Sequence, residues 1–191
     1  MQNASYKLIL ASASPRRKEI LAEGGLSFSV RPQDIDESVY DGIEPRLMVQ
    51  LLAASKAAKA VQGENEVILG ADTVVVCDGK VLGKPKDATK AEEMLSMLSG
   101  RTHSVYTGIA VLRGDDGTMR THAEETLVTF RTLTKEEIRA YIETGEPMDK
   151  AGAYGIQGKG GALVSETEGD FQNVVGLPLG AVLRLMAEMN L

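Results

Sequence analysis

Apolar residues along the chain recur with two periods, and their order predicts alternating strands and helices. Tyr6 to Ala11 reads as a first strand. Ser12-Ala13-Ser14 leads into Pro15, and serine followed by proline at the first helical position is a helix start. That helix is expected to run to about Glu23, with Ile20 and Leu21 inward, and to stop at Gly24-Gly25. A short strand over Ser27 to Arg31 and an acidic loop, Asp34-Ile35-Asp36-Glu37-Ser38, come next. Pro45 opens a longer helix whose apolar stripe draws on Leu47, Leu51, Leu52 and several alanines. Cys77-Asp78-Gly79-Lys80 suits a two-residue type I′ hairpin turn, with Val81-Leu82 returning antiparallel. Asp87 is positioned to cap a helix through Leu98, which Gly100 ends. Strands are expected over His103–Arg113 and Glu124–Arg131, joined around Gly114-Asp115-Asp116-Gly117. Thr134-Lys135-Glu136-Glu137 is a capping box that starts a helix ending near Gly145. A glycine-dense stretch from Ala151 to Gly161 precedes a strand at Ala162–Ser165, and Pro178 begins a last amphipathic helix. The implied fold is α/β, a mixed twisted sheet flanked by helices.

The run Val67-Ile68-Leu69-Gly70-Ala71-Asp72-Thr73-Val74-Val75-Val76 is strand-length, β-branched and almost continuously apolar. It reads as a strand covered on both faces. Asp72 is the exception. An ionised carboxylate in such surroundings is costly unless a metal, cationic side chains or protonation compensates it. Such compensation turns the residue into chemistry. The alternative is that the strand leaves the core at Gly70 and Asp72 meets solvent.

Length and composition narrow the partners. At 191 residues the chain fits one domain, with room for two lobes around a central cleft. A net charge of −6, no Trp and few Phe disfavour a nucleic-acid or acidic-membrane binder. A local basic site for one small polyanion stays open. No apolar stretch approaches the ~18 residues of a membrane span, and the Leu8-Ile9-Leu10-Ala11 run is too short for a signal peptide. One cysteine, Cys77, excludes an internal disulfide and suits a reducing cytoplasm. With only His103 and His122 beside it, a structural zinc site is not expected.

Cations are supplied in several places. Arg16 and Arg17 occupy the opening turn of the first helix, where free N–H groups and the macrodipole favour an anion. They are either a phosphate site or two solvated arginines near Glu19 and Glu23. Lys56 falls on the apolar stripe of its helix, four residues after Leu52, and either snorkels or acts. Lys84 is held toward extended geometry by Pro85. The acidic loop is no EF-hand, since Val39 stands at the sixth place and Pro45 at the twelfth. It also lacks the buried strand that precedes an aspartyl-phosphatase nucleophile. A hydrated Mg²⁺ needs only one or two carboxylates, and Glu37 with Asp72 would provide them. Otherwise the loop is a solvated acidic turn. The glycine-dense stretch is no Walker A motif, because Gly160 follows Lys159 where Ser or Thr is required. Its Gln157 carries both a donor and an acceptor, as reading a base edge needs.

Five segments in order, Leu10-Ala11-Ser12-x-Ser14-Pro15-Arg16-Arg17, Gly70-Ala71-Asp72-Thr73-Val74, Leu82-Gly83-Lys84-Pro85, Leu98-Ser99-Gly100-Arg101-Thr102-His103-x-Val105-x-Thr107 and Val175-Gly176-Leu177-Pro178, resemble the Maf family of nucleoside triphosphate pyrophosphatases. Asp149-Lys150-Ala151-Gly152-Ala153-Tyr154-Gly155-Ile156-Gln157-Gly158 is similar to the subgroup acting on dTTP and UTP. The resemblance implies an elongated mixed α/β fold like that of inosine-triphosphate pyrophosphatases and a single catalytic domain over 1–191. It implies a cytoplasmic homodimer, a Mg²⁺ or Mn²⁺ cofactor and an association with septum formation. By matched position Asp72 is the proton acceptor and Arg16, Thr73 and Gln157 are specificity positions, with Ser12 and Arg17 beside Arg16 expected to bind substrate as well. Lys56 and Lys84 line the catalytic site with Glu37, which joins Asp72 in holding metal. The rival readings are a relative acting on 7-methyl-GTP and a nucleotide-sensing regulator of division without turnover.

Overall fold

The computed structural model describes residues 6–36 and 42–191. Strands β1 (Lys7–Leu10), β2 (Phe28–Val30), β3 (Glu66–Cys77), β4 (Lys80–Leu82), β5 (Thr102–Arg113), β6 (Met119–Phe130) and β7 (Val164–Glu168) form one sheet. Its order is β2-β1-β3-β5-β6-β7, with β4 paired to β3. β1 pairs in parallel with β2 and β3, whereas β3–β4 and β6–β7 are antiparallel, so the sheet is mixed. The helices are α1 (Pro15–Glu23), α2 (Pro45–Ala60), α3 (Ala88–Leu98), α4 (Lys135–Glu143), α5 (Phe171–Val175) and α6 (Leu179–Glu188).

Local chemistry sets most of these boundaries. Pro15 and Pro45 open α1 and α2. Asp87 Oδ1 accepts from Lys90 N–H at 2.8 Å and caps α3. Thr134 and Glu137 close the expected capping box around α4. Asp78 and Gly79 both take positive φ, +49° and +73°, as a type I′ turn requires.

Four features depart from the expectation. Ser14 does not cap α1 with its side chain; instead its N–H donates to Ser12 Oγ at 3.3 Å. Leu47 is exposed, and the inward stripe of α2 is Val49, Leu52, Ala53, Ala57 and Ala60. Strand β6 begins at Met119, ahead of the apolar residues that suggested Glu124, because pairing with β5 organises a polar segment. The short helix α5 was not anticipated; Asp170 Oδ1 starts it by accepting from Gln172 N–H at 2.8 Å.

The chain forms two compact units, 1–72 with 107–124 and 176–191, and 73–106 with 125–175. In the first, Ile9, Ala11 and Ile68 pack with Ala53, Ala57 and Ala60 of α2. In the second, α3 and α4 bury Leu95, Leu98, Ile138 and Tyr141 against Val75, Val105, Val128 and Phe130. The alanines of α2 matter because the helix comes down onto backbone. A Cβ at Gly70 of β3 would lie 2.0 Å from the Ala53 carbonyl oxygen, and one at Gly108 of β5 would lie 2.1 Å from that of Val49. At the edge of this unit Arg31 clasps Glu66 with two hydrogen bonds of 2.7 and 2.8 Å. That arginine holds the Glu66 carboxyl down at about 2.

Gly70→Ala is expected to lower stability by about 2–3 kcal/mol through overpacking against immobile backbone, read as a shifted urea midpoint. Gly180→Ala in α6, where nothing lies within 4 Å, is expected to be neutral or slightly stabilising.

Candidate active site

Asp72 lies on the same face of β3 as Gly70, two residues on. Lys56 lies on the same face of α2 as Ala53, three residues on. The Gly70–Ala53 contact therefore sets the two side chains opposite each other. Lys56 Nζ donates to Asp72 Oδ1 at 2.5 Å. The side chains are only 12% and 11% exposed, so the pair is nearly withdrawn from water. A cationic side chain, one of the compensations open to Asp72, meets it here.

The Ser12–Arg17 turn joins the same unit. Arg17 donates from Nη1 to Ser12 Oγ and to the Ala71 carbonyl, both at 2.9 Å, and from Nε to the Gly176 carbonyl at 2.8 Å. One planar guanidinium thus ties the first turn of α1 to the residue preceding Asp72 and to the segment before α6. This is a third use for Arg17, neither solvated nor aimed solely at an anion. Arg16 is half-buried in the same turn, and Ser12 is buried.

Thr73 follows Asp72 on β3 and is half-buried; Lys84 and Gln157 are exposed. These three belong to the second unit. There the Gly83 carbonyl accepts from Gly152 N–H at 3.1 Å, which joins the Lys84 segment to the stretch carrying Gln157. Glu37 lies outside the described residues.

The glycine-dense stretch is tightly determined. Gly152 has φ +68°, and a Cβ there would meet Val75 at 2.9 Å. Ala153, fully buried, holds φ +59°, a left-handed conformation that costs a non-glycine residue on the order of 1 kcal/mol. Tyr154 is fixed through its hydroxyl, 2.8 Å from His103 Nε2, and both rings pack edge-on against Phe130. Burial pushes the His103 imidazole down to about 4. Its Nδ1 has no hydrogen-bond partner among the described residues, which favours the tautomer with the proton on Nε2, donated to Tyr154. Lys150 Nζ bonds Asp149 Oδ1 at 2.6 Å, so these neighbours do pair with each other.

Sequence reasoning gave His103 and Tyr154 no role beyond their place in the quoted segments, and it missed Tyr141 and Glu146. Only the density of glycines, which implies close backbone approach to something, hinted at them.

No group of three or more His, Cys, Asp or Glu residues able to hold a metal occurs among the described residues. A hydrated Mg²⁺ does not need one, since water and phosphate oxygens complete its shell around one or two carboxylates. Asp72 is such a carboxylate, with Lys56 bonded to its Oδ1. No helix among the described residues is long and apolar enough to cross a membrane.

This fold and site define a class: a mixed α/β protein with a buried Lys–Asp pair beside an arginine-bearing helix start. The sequence profile of Maf-like proteins matches residues 7–189, and the chain belongs to the Maf family. It is 57% identical over 185 residues to a dTTP/UTP pyrophosphatase of Moorella thermoacetica, covering 95% of this chain and 94% of that one. A dTTP/UTP pyrophosphatase of Symbiobacterium thermophilum is 50% identical over 185 residues, 96% and 94% of the two chains. Among solved structures, a HAM1 protein from Coxiella burnetii is similar in fold, with a TM-score of 0.52 at 17% identity over 94% of this chain and 99% of that one.

Removing one member of a buried ion pair costs ~3–5 kcal/mol because the other is left uncompensated. Lys56→Met should therefore destabilise strongly, and Asp72→Asn in the same background should recover part of the loss, as a double-mutant cycle by urea unfolding will read. A second outcome concerns pH. The His103 value is lowered from 6.5 to about 4 on folding, so the unfolded chain binds the extra proton first. Its contribution is complete above pH 6.5 and is lost as pH falls toward 4, about 3 kcal/mol in all. His103→Gln should flatten unfolding free energy against pH across that window.

Proposed function

We propose that this chain is a nucleoside triphosphate pyrophosphatase that hydrolyses the α–β phosphoanhydride of dTTP and UTP, releasing pyrophosphate and the monophosphate. The carrying observation is the buried pair that Lys56 of α2 makes with Asp72 of the Gly70-Ala71-Asp72-Thr73 segment. The dTTP/UTP pyrophosphatases to which the chain is 50–57% identical over nearly its whole length support both reaction and base.

Hydrolysis adds water across the anhydride. The water oxygen bonds to phosphorus, the bridging P–O bond breaks with its electrons staying on pyrophosphate, and a proton must be accepted. Asp72 is assigned that proton. Lys56 holds one carboxylate oxygen and so fixes where the other points, which orients the attacking water. Because most of the barrier lies in charge gathering on phosphate oxygens, positioned cations supply most of the catalysis. Arg16, at the start of α1, and Lys84 bind the triphosphate, with Ser12 and Thr73 as hydroxyl donors. Arg17 keeps the α1 turn in register with Ala71 and lies beside Arg16 in the substrate-binding turn. Gln157 reads the base through paired donor and acceptor. Asp72 together with Glu37 would hold a divalent cation, Mg²⁺ or Mn²⁺, which when bound neutralises phosphate charge.

The chain acts as one catalytic domain, assembled as a homodimer in the cytoplasm. The family likeness supports this, and a single buried thiol suits the compartment.

The test is pyrophosphate release across a nucleotide panel with and without divalent ions. dTTP and UTP should be preferred over purine triphosphates and 7-methyl-GTP. Asp72→Asn should lower kcat by ~10²–10⁴; it also leaves Lys56 uncompensated and so should lose stability, with circular dichroism in the absence of denaturant still that of a folded chain. Wild-type protein that binds dTTP without releasing pyrophosphate would instead indicate a nucleotide sensor.

A further inference from the structure

The backbone that carries Gln157 is wrapped around one acidic side chain of its own unit. Glu146, at the start of the 3₁₀ turn Glu146–Asp149, is half-buried. Its Oε2 accepts from Lys159 N–H at 3.0 Å, and its Oε1 accepts from Gly160 N–H at 3.1 Å and from the Tyr141 hydroxyl at 2.9 Å. The Tyr141 oxygen in turn accepts from Gly155 N–H at 3.1 Å. One residue before Gln157, Gly155, and two after it, Lys159 and Gly160, are thus anchored, through Tyr141 or directly, to one carboxylate.

The glycines of the stretch follow from this anchoring. A Cβ at Gly158 would lie 2.5 Å from Glu146 Oε1, one at Gly160 2.5 Å from the Tyr141 hydroxyl and one at Gly155 2.6 Å from Lys150 Cε. A side chain at any of these three positions would push these groups aside. The carboxylate also caps the 3₁₀ turn Lys159–Leu163, whose first N–H groups need an acceptor. Lys150 steadies the arrangement from below by donating to the Glu146 carbonyl at 2.8 Å. Burial pushes the Glu146 carboxyl up, but the Gly160 and Lys159 N–H groups, Tyr141 and Lys150 outweigh it and hold the group below its ordinary value. Glu146 is therefore ionised at neutral pH and accepts at full strength.

We infer that Glu146 is a positioning residue for base selection: its carboxylate holds residues 155–160 in the one conformation that presents Gln157. The inference rests on the reading of Gln157 given above. Glu146 itself touches no substrate. Losing it scatters Gln157 among conformations, which weakens recognition of the pyrimidine without touching the groups that break the anhydride.

The experiment is a cycle of Glu146→Gln, Gln157→Ala and the double variant, with dTTP and dATP as substrates and pyrophosphate release as the readout. Amide hydrogen exchange over 155–160 is followed in parallel. Glu146→Gln is expected to raise KM for dTTP about tenfold with kcat within threefold, to cut the dTTP-over-dATP preference about tenfold, and to speed exchange over 155–160 at least tenfold. Gln157→Ala should reproduce the kinetic change, and the double variant should be no worse than either single one. Glu146→Asp, which keeps the charge, should recover part of the preference. If Gln157→Ala costs selectivity and Glu146→Gln does not, the inference falls and the reading of Gln157 stands. If Glu146→Gln costs selectivity and Gln157→Ala does not, the reading of Gln157 falls and the inference with it. Additive effects, or a loss confined to kcat, also overturn it. Should Glu146→Gln fail to fold, Tyr141→Phe removes a single hydroxyl from the same network and is held to the same outcomes in weaker form.

Discussion

A lysine and an aspartate held 2.5 Å apart, both mostly out of water, are the constraint on which the first unit depends. Charges so placed stabilise only when their geometry is held, since desolvation otherwise outweighs attraction. What holds them is unusually stiff. Gly70 and Gly108 admit the carbonyls of Ala53 and Val49 where other residues would have a side chain. The helix cannot tilt toward the sheet without collision or away from it without opening the alanine-lined core. Lys56 and Asp72 inherit their separation from that backbone contact.

The Arg17 guanidinium extends the same constraint. Its partners Ala71 and Gly176 lie 54 and 159 residues away in the chain. It draws the start of α1 alongside the residue next to Asp72, so that Arg16, by chain continuity, is carried near the carboxylate's strand. An arginine suits the task because three acceptors in different directions match its fixed fork, whereas a lysine ammonium on a flexible stem would leave some unserved.

Much of this was legible beforehand, for local reasons. Pro15, Pro45, the Asp78-Gly79 turn and the Thr134–Glu137 box act within a few residues of themselves, and each produced the element it signalled. Asp72 stood out because a charge inside a β-branched run must be answered by something, and Lys56 answered it. What was hidden depends on distant partners. Leu47 faces outward and the expected alanines meet the sheet, because the helix approaches glycine backbone, which no helical periodicity records. The first half of β6 is polar and owes its structure to pairing with β5. Arg17 bonds carbonyls that any residue type would supply. Glu146 was invisible because its partners are backbone N–H groups, and the glycines that announce the contact do not say with what.

The wrapped carboxylate of Glu146 and the backbone-set Lys56–Asp72 pair belong to different units and share no residue. One gathers backbone amides around a single carboxylate, the other seats two helix carbonyls on bare glycine backbone. If Gln157 reads the base and Asp72 serves the reaction, selectivity and turnover rest on separate parts of the sequence, and a substitution in one part leaves the packing of the other untouched.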